Sequence, residues 1–229
     1  MRTILLTLSQ YNHILINGIM ETFYMVAVSL FISILFGLPL GFMTTISGNN
    51  HVMDRSHLHK LLNTIINIGR SIPFVILMVA VIPFTRLITG TSIGTTAAIV
   101  PLSIAAIPFT ARITDNALQE VDRGVIEAAL AMGANTSTIV IKVLFPEALP
   151  AIILGITVTA INLITYSAMA GVVGGGGLGD IAIRYGYQRF KPIIMIETII
   201  IMVIMVQLIQ WTGKYLAERI DSNNLKSEN

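Results

Sequence analysis

Apolar residues run along this chain in blocks long enough to cross a bilayer, separated by short polar stretches. A helix needs roughly 20 predominantly apolar residues to span the hydrocarbon core. Residues 22–46 form the first block, free of basic residues and with Pro39 near its end. Residues 61–88 form the second, interrupted by Arg70, Pro73, Pro83 and Arg86. Residues 93–111 form the third, after the turn-like Gly90-Thr91-Ser92. Residues 150–173 lie inside the uncharged run from Ala148 to Gly179, and residues 193–213 carry one acid, Glu197. This pattern predicts an all-α, polytopic membrane protein of five transmembrane helices in a single domain over residues 1–229. Pro73, Pro83, Pro101 and Pro108 predict bent helices, because neighbouring helices in a membrane satisfy the carbonyls that proline frees. Ahead of the first block, Ile4, Leu5, Leu8, Tyr11, Leu15 and Ile19 recur at helical spacing, which predicts a short interfacial helix. No small-residue cleavage site follows it, so the segment does not read as a removable signal peptide.

Composition agrees with the pattern. The chain is 54% hydrophobic and 11% charged, where a soluble domain carries about a quarter charged residues. Its net charge of +2 is small and its basic residues are scattered, which argues against a nucleic-acid partner. With no cysteine, disulfides and thiolate metal sites are excluded. His51, His57 and His59 cluster, apart from His13, but no carboxylate-bearing helix supports them, and they read as a His-rich solvated loop. Basic residues also set orientation, because they concentrate in cytoplasmic loops. Placing the C-terminus inside puts Arg55, Lys60, Arg70, Arg112, Arg123, Lys142, Lys214, Arg219 and Lys226 on the cytoplasmic side. Arg2, Arg86, Arg184, Arg189 and Lys191 then face out, the smaller group. The expectation is N-terminus outside, C-terminus cytoplasmic.

One segment departs from the apolar plan. Residues 122–146 read as a helical hairpin on the cytoplasmic side. Asp122 is a suitable N-cap for a helix over 123–132, and Gly133 sits where a left-handed residue would end it. Asn135 or Thr136 can cap a second helix running to Phe145 and stopping at Pro146. Ala128, Ala129 and Ala131 permit close approach, Val125, Ile126, Leu130 and Met132 supply apolar anchors, and Glu127 adds a charge. Such a surface suits docking into a groove of a soluble partner; a loop that only covers the bundle is the other reading of the same residues.

Glu127-Ala128-Ala129, Gly133 and an apolar run ending in Pro146 resemble the EAA loop of binding-protein-dependent ABC importers, with Val143 and Phe145 where the consensus has Ile and Leu. Arg70-Ser71-Ile72-Pro73-Phe74, Gly90-Thr91-Ser92-Ile93-Gly94, Leu144-Phe145-Pro146-Glu147-Ala148-Leu149-Pro150, Tyr166-Ser167-Ala168-Met169 and Gly176-Gly177-Leu178-Gly179 are similar to the methionine-importer permease family. The likeness covers nearly the whole chain after about Asn17; the longer N-terminal stretch carries nothing over. The resemblance implies a type I ABC importer permease fold in the bacterial inner membrane. It implies a homodimer of permeases, two ABC ATPase subunits, an external substrate-binding protein, and import of methionine, often as both L and D; import of another small amino acid or peptide is the alternative. It also implies that Asp122, Glu127, Ala128, Ala129, Met132, Gly133 and Pro146 couple the permease to the ATPase.

The chain has no Gly-x-x-x-x-Gly-Lys-Ser/Thr pattern, so ATP and Mg belong on the partner ATPase and no cofactor is expected here. The Gly174–Gly177 run follows an apolar block and not a strand, so it is no dinucleotide loop; it reads as a flexible extracellular turn or as a direct substrate contact. Within the fourth block, Asn162, Thr165, Tyr166, Ser167 and Met169 are polar or pliable residues at membrane depth, where side chains line a pathway or join helices. Tyr166 and Met169 are the gate candidates, since a thioether can close a pore and still yield. Glu197 is either functional by virtue of its depth or close enough to the block's end to reach the outer interface. A membrane-embedded enzyme would need converging titratable groups in the blocks, and the blocks hold almost none.

Overall fold

The computed structural model describes residues 2–48 and 56–227, and every regular element among them is helical. In chain order these are α1 (Arg2–Ile46), α2 (Ser56–Ser71), α3 (Phe74–Ala80), α4 (Ile82–Thr89), α5 (Thr95–Gln119), α6 (Arg123–Ala131) and α7 (Thr136–Ile139). A wide π-turn, Val140–Leu144, leads into α8 (Phe145–Val172). After α9 (Gly177–Ile181) and a second π-turn, Ala182–Tyr187, comes α10 (Pro192–Ser227). Among the described residues, four helices are long and apolar enough to cross a membrane. The pair His57–Ser71 and Phe74–Ala80, bent by 99°, makes a fifth if counted as one span. The chain is a multi-pass membrane protein.

Three expectations change. The interfacial helix does not exist separately, because α1 is continuous from Arg2 to Ile46. Gly18, a weak helix former at that junction, is a contact point instead of a break: a Cβ there would lie 2.3 Å from Ile181. The second block is broken and not merely bent. Pro73 sits outside α3 as its N-cap residue, and Pro83 lies in the first turn of α4, the positions where a missing N–H costs nothing. Finally, the second helix of the hairpin does not stop at Pro146. Helix persists from Thr136 to Val172. The π-turn just before Pro146, closed by Phe145 N–H donating to Val140 O, loosens the ladder where the proline ring would otherwise crowd a carbonyl.

Two compact units divide the chain, and α1, α5, α8 and α10 contribute residues to both. The first comprises residues 1–32, 72–106 and 160–209. Its core is Met25, Val26, Phe74, Met78, Leu102, Leu163 and Ile164, with a smaller cluster of Leu15, Ile181 and Ile194. The second comprises residues 33–71, 107–159 and 210–229. Its core joins Leu118 of α5 and Val121 just past its end to Ile126, Ile139, Leu144, Ala148 and Ile152. Here α1 and α5 pack backbone to backbone through Gly37-x-x-x-Gly41. A Cβ at Gly41 would stand 2.6 Å from Thr114 Cβ and 2.7 Å from Ala111 O. Small residues at that spacing let membrane helices approach closely, where dispersion between backbones replaces the hydrophobic effect that lipid cannot supply.

Basic residues partition with the units. Arg86, Arg184, Arg189 and Lys191 lie in the first; Lys60, Arg70, Arg112, Arg123, Lys142, Lys214 and Arg219 lie in the second. These are the two groups that the sequence assigned to opposite sides. Arg55 and His51 fall outside the described residues. His57 and His59 sit on α2 and not in a solvated loop. His59 is half-buried, with Nδ1 at 2.9 Å from Thr44 O and Nε2 at 2.8 Å from Asn63 Nδ2, so it ties α2 to the end of α1.

Candidate functional site

The hairpin is built from local signals. Asp122 Oδ1 accepts the Gly124 N–H at 2.6 Å, satisfying one of the orphan donors at the start of α6. At the other end Gly133 takes φ +77. Its N–H donates to Leu130 O at 2.9 Å, and Ala134 N–H donates to Ala129 O at 3.1 Å. That bond pair is the Schellman closure, which requires a left-handed residue at this position. Asn135 then caps α7 by accepting the Thr138 N–H at 2.9 Å.

Short as it is, α6 has two distinct faces. Ile126, only 7% exposed, belongs to the core of the second unit and is no docking anchor, which corrects the sequence reading. It points inward because α6 must bury one face against α5 and the start of α8 to be stable at nine residues. Ala129 and Ala134 pack against the same core. Val125, Glu127, Ala128, Leu130 and Met132 are by contrast all exposed, with Met132 88% open. Asp122, Gly133 and Pro146 are exposed as well. Three large apolar side chains thus stand free on a helix too short to be a span, a pattern that marks an interaction surface.

Beneath the hairpin lies a polar network that sequence reasoning missed. Asp115 on α5 is fully buried. Its Oδ1 accepts from Thr45 Oγ1 at 2.8 Å and its Oδ2 from Arg112 NH1 at 3.1 Å. Arg112 NH2 in turn donates to Asn67 Oδ1 at 2.7 Å. One carboxylate therefore links α1, α2 and α5. The available signal was the Arg112–Asp115 pair at helical i, i+3 spacing just past the third apolar block.

Along α8, Asn162, Thr165, Tyr166 and Met169 fall on one stripe by helical spacing, and none of them is fully buried. Tyr166 stacks on Phe74, ring centroids 4.7 Å apart and planes 8° from parallel. Met169 keeps 40% of its surface open. Ser167 lies off the stripe: it is buried and donates to Ile164 O of its own helix at 2.7 Å. Its hydroxyl proton is thus committed within α8. Glu197 is half-buried in the second turn of α10, and its Oε2 is buried without a hydrogen-bond partner. The glycine run is tied down and is not a slack turn. Gly94 N–H donates to Gly174 O at 2.9 Å, and Gly177 N–H donates to Glu21 Oε2 at 2.6 Å.

Known proteins bear the same pattern. The family described as binding-protein-dependent transport system inner membrane component matches residues 37–222. The probable D-methionine transport system permease protein MetI of Vibrio cholerae is 48% identical over 210 residues, spanning 92% of this chain and 93% of that protein. The D-methionine transport system permease protein MetI of Escherichia coli K12 is 46% identical over 158 residues, 69% of this chain and 73% of its own length. Among solved structures, an inward-facing form of the MetNI methionine ABC transporter superposes with a TM-score of 0.90 at 45% identity, covering 92% of this chain and 98% of that one. An amino acid ABC transporter shares the fold at a TM-score of 0.78 and 21% identity, covering 93% of this chain and 97% of its own. With the family pattern spanning most of its length and near-full-length relatives at such identity, this chain belongs to the binding-protein-dependent transport system inner membrane components.

Proposed function

We propose that this chain is the permease subunit of an ATP-driven ABC importer that carries methionine, L and D, across the bacterial inner membrane by alternating access. The observation that carries the substrate is the 48% identity, over nearly the whole length, to a probable D-methionine transport permease. The working unit is a homodimer of this chain with two ABC ATPase subunits, served by an external binding protein. ATP and Mg are handled by the ATPase, since this chain has no P-loop. The N-terminus lies outside and the C-terminus in the cytoplasm, a topology supported by the larger basic group in the second unit.

In this reading Glu127, Ala128 and Met132 meet the ATPase, while Asp122, Ala129 and Gly133 hold α6 in shape behind them. Pro146 lies in the first turn of α8, just past the hairpin. Closure of the ATPases loads α6. The load passes through Ile126 and Ala129 to Leu118 of α5, to Leu144 of the π-turn and to Ala148 at the start of α8, because these side chains share one close-packed core. Helix α8 carries Asn162, Tyr166 and Met169 along its own length, so a shift at its start moves the gate candidates as well. No substrate bond changes, and the chain performs positioning work only.

The test is uptake of labelled L-methionine into vesicles holding this chain, its co-encoded ATPase and its binding protein, with and without ATP. ATP-dependent uptake that unlabelled methionine competes away, and that Gly133→Asp abolishes, is the expected result. ATP hydrolysis indifferent to methionine would overturn the substrate, and uptake that needs no ATP would overturn the mechanism.

A further inference from the structure

Helix α9 is five residues long, and its N-cap position is Gly176, which has no side chain to satisfy the first amides. Those amides are satisfied from a distant part of the chain. Gly177 N–H donates to Glu21 Oε2 at 2.6 Å, and Leu178 N–H donates to Thr22 Oγ1 at 2.9 Å. Consecutive residues of α1 thus cap consecutive amides of α9, and Glu21 is the only acidic residue in α1. The loop is shaped for this approach. Gly176 and Gly177 have φ +79 and +77, and Cβ atoms there would come within 2.9 Å of Glu21 Oε2 and 2.7 Å of Thr22 Oγ1. On its other side α9 touches α8 without intervening side chains. A Cβ at Gly171 would stand 2.3 Å from Asp180 N, and one at Gly179 would stand 2.3 Å from Ala168 O. Met169 lies between those two contact points in sequence.

The geometry points to Glu21, with Thr22, as a positioning residue for transport: it fastens the last turn of α8 to α1 through α9, so that the gate candidate Met169 follows α1. The physical reason is that α9 is locked to α8 by backbone contact, which cannot slide without clashes. Its tie to α1 is a charge-assisted hydrogen bond to Glu21, backed by a second bond to the buried Thr22 hydroxyl. A tie of that kind holds strongly in one geometry and releases as a unit, whereas apolar packing alone would let the helices slip. A polar cavity of about 180 Å³, lined by Asn17, Glu21, Asp180, Arg184 and Tyr185, adjoins the carboxylate.

The transport arm of this inference rests on the importer reading; the exchange arm does not. Glu21→Ala and Glu21→Gln would be prepared in the full complex in lipid nanodiscs, with amide hydrogen exchange followed over residues 174–181 and methionine uptake per ATP hydrolysed measured in vesicles. Removing a hydrogen bond to a charged group should speed exchange at Gly177 by roughly 10- to 100-fold. For Glu21→Ala we expect assembly and ATP hydrolysis to persist while methionine carried per ATP falls several-fold. Glu21→Gln, which keeps an acceptor oxygen, should restore most of both readouts. Wild-type exchange in Glu21→Ala would refute the clamp. Faster exchange with unchanged coupling would refute its role in transport, as would equal loss of assembly in both variants, which is what a purely structural residue gives. If methionine is not carried even by the wild type, the substrate reading fails while the exchange result still judges the clamp.

Discussion

Ile126 is buried within α6 and Met132, the residue that ends it, is exposed, so truncating each should separate docking from folding. Met132 is 88% exposed, so its side chain contributes almost nothing to the core of the second unit. Full burial of a methionine side chain is worth about 1.5–3 kcal/mol. If an ATPase subunit covers it, Met132→Ala should weaken association by roughly 10- to 100-fold. The isolated permease should lose no more than about 0.5 kcal/mol of stability, the usual range for an exposed position. Ile126→Ala makes the opposite case. With 7% of its surface exposed in a packed cluster, it should cost about 2–4 kcal/mol of stability through lost burial and the cavity left behind. The assay is the dissociation constant of nanodisc-held permease for its ATPase, read beside thermal unfolding of the permease alone. A Met132→Ala variant that binds with wild-type affinity would refute the docking face. One that loses as much stability as Ile126→Ala would refute the division of α6 into an inner and an outer side.

Other outcomes follow from the same geometry. Asp115→Ala leaves Thr45 and Arg112 without their shared acceptor and should cost about 3–5 kcal/mol, as breaking a buried ion pair does. Thermal unfolding reads it, and wild-type stability would deny the network a structural role. Gly41→Val places carbon within 2.6 Å of Thr114 Cβ, where the neighbouring atoms belong to or adjoin backbone and cannot yield. A loss of at least about 1–3 kcal/mol is expected, and an unchanged melting temperature would mean that α1 and α5 do not pack through this glycine. Met169→Ala should let substrate leak down its gradient or raise ATP hydrolysed per methionine carried; unchanged tightness and coupling would remove Met169 as the gate.

Much of this protein is determined by its sequence. Long uncharged blocks such as 150–173 admit one outcome, because a backbone in lipid must satisfy its own hydrogen bonds and a helix does so locally. The caps of the hairpin are equally local: Asp122, Gly133 and Asn135 act within four residues of themselves, and the structure places all three where their chemistry suggests. What only the tertiary structure decided are the features that depend on a partner far along the chain. No pattern around Gly18 says that it packs against α9 and so lets α1 run unbroken, nor that Ile126 turns inward while Met132 stays out. The π-turn that carries helix through Pro146 depends on Leu144 being drawn into the core. Asp115 and Glu21 take their meaning from Thr45, 70 residues away, and from Gly177, 156 residues away. Periodicity and capping report forces along the chain, whereas a buried carboxylate is explained only by the donors that folding brings to it.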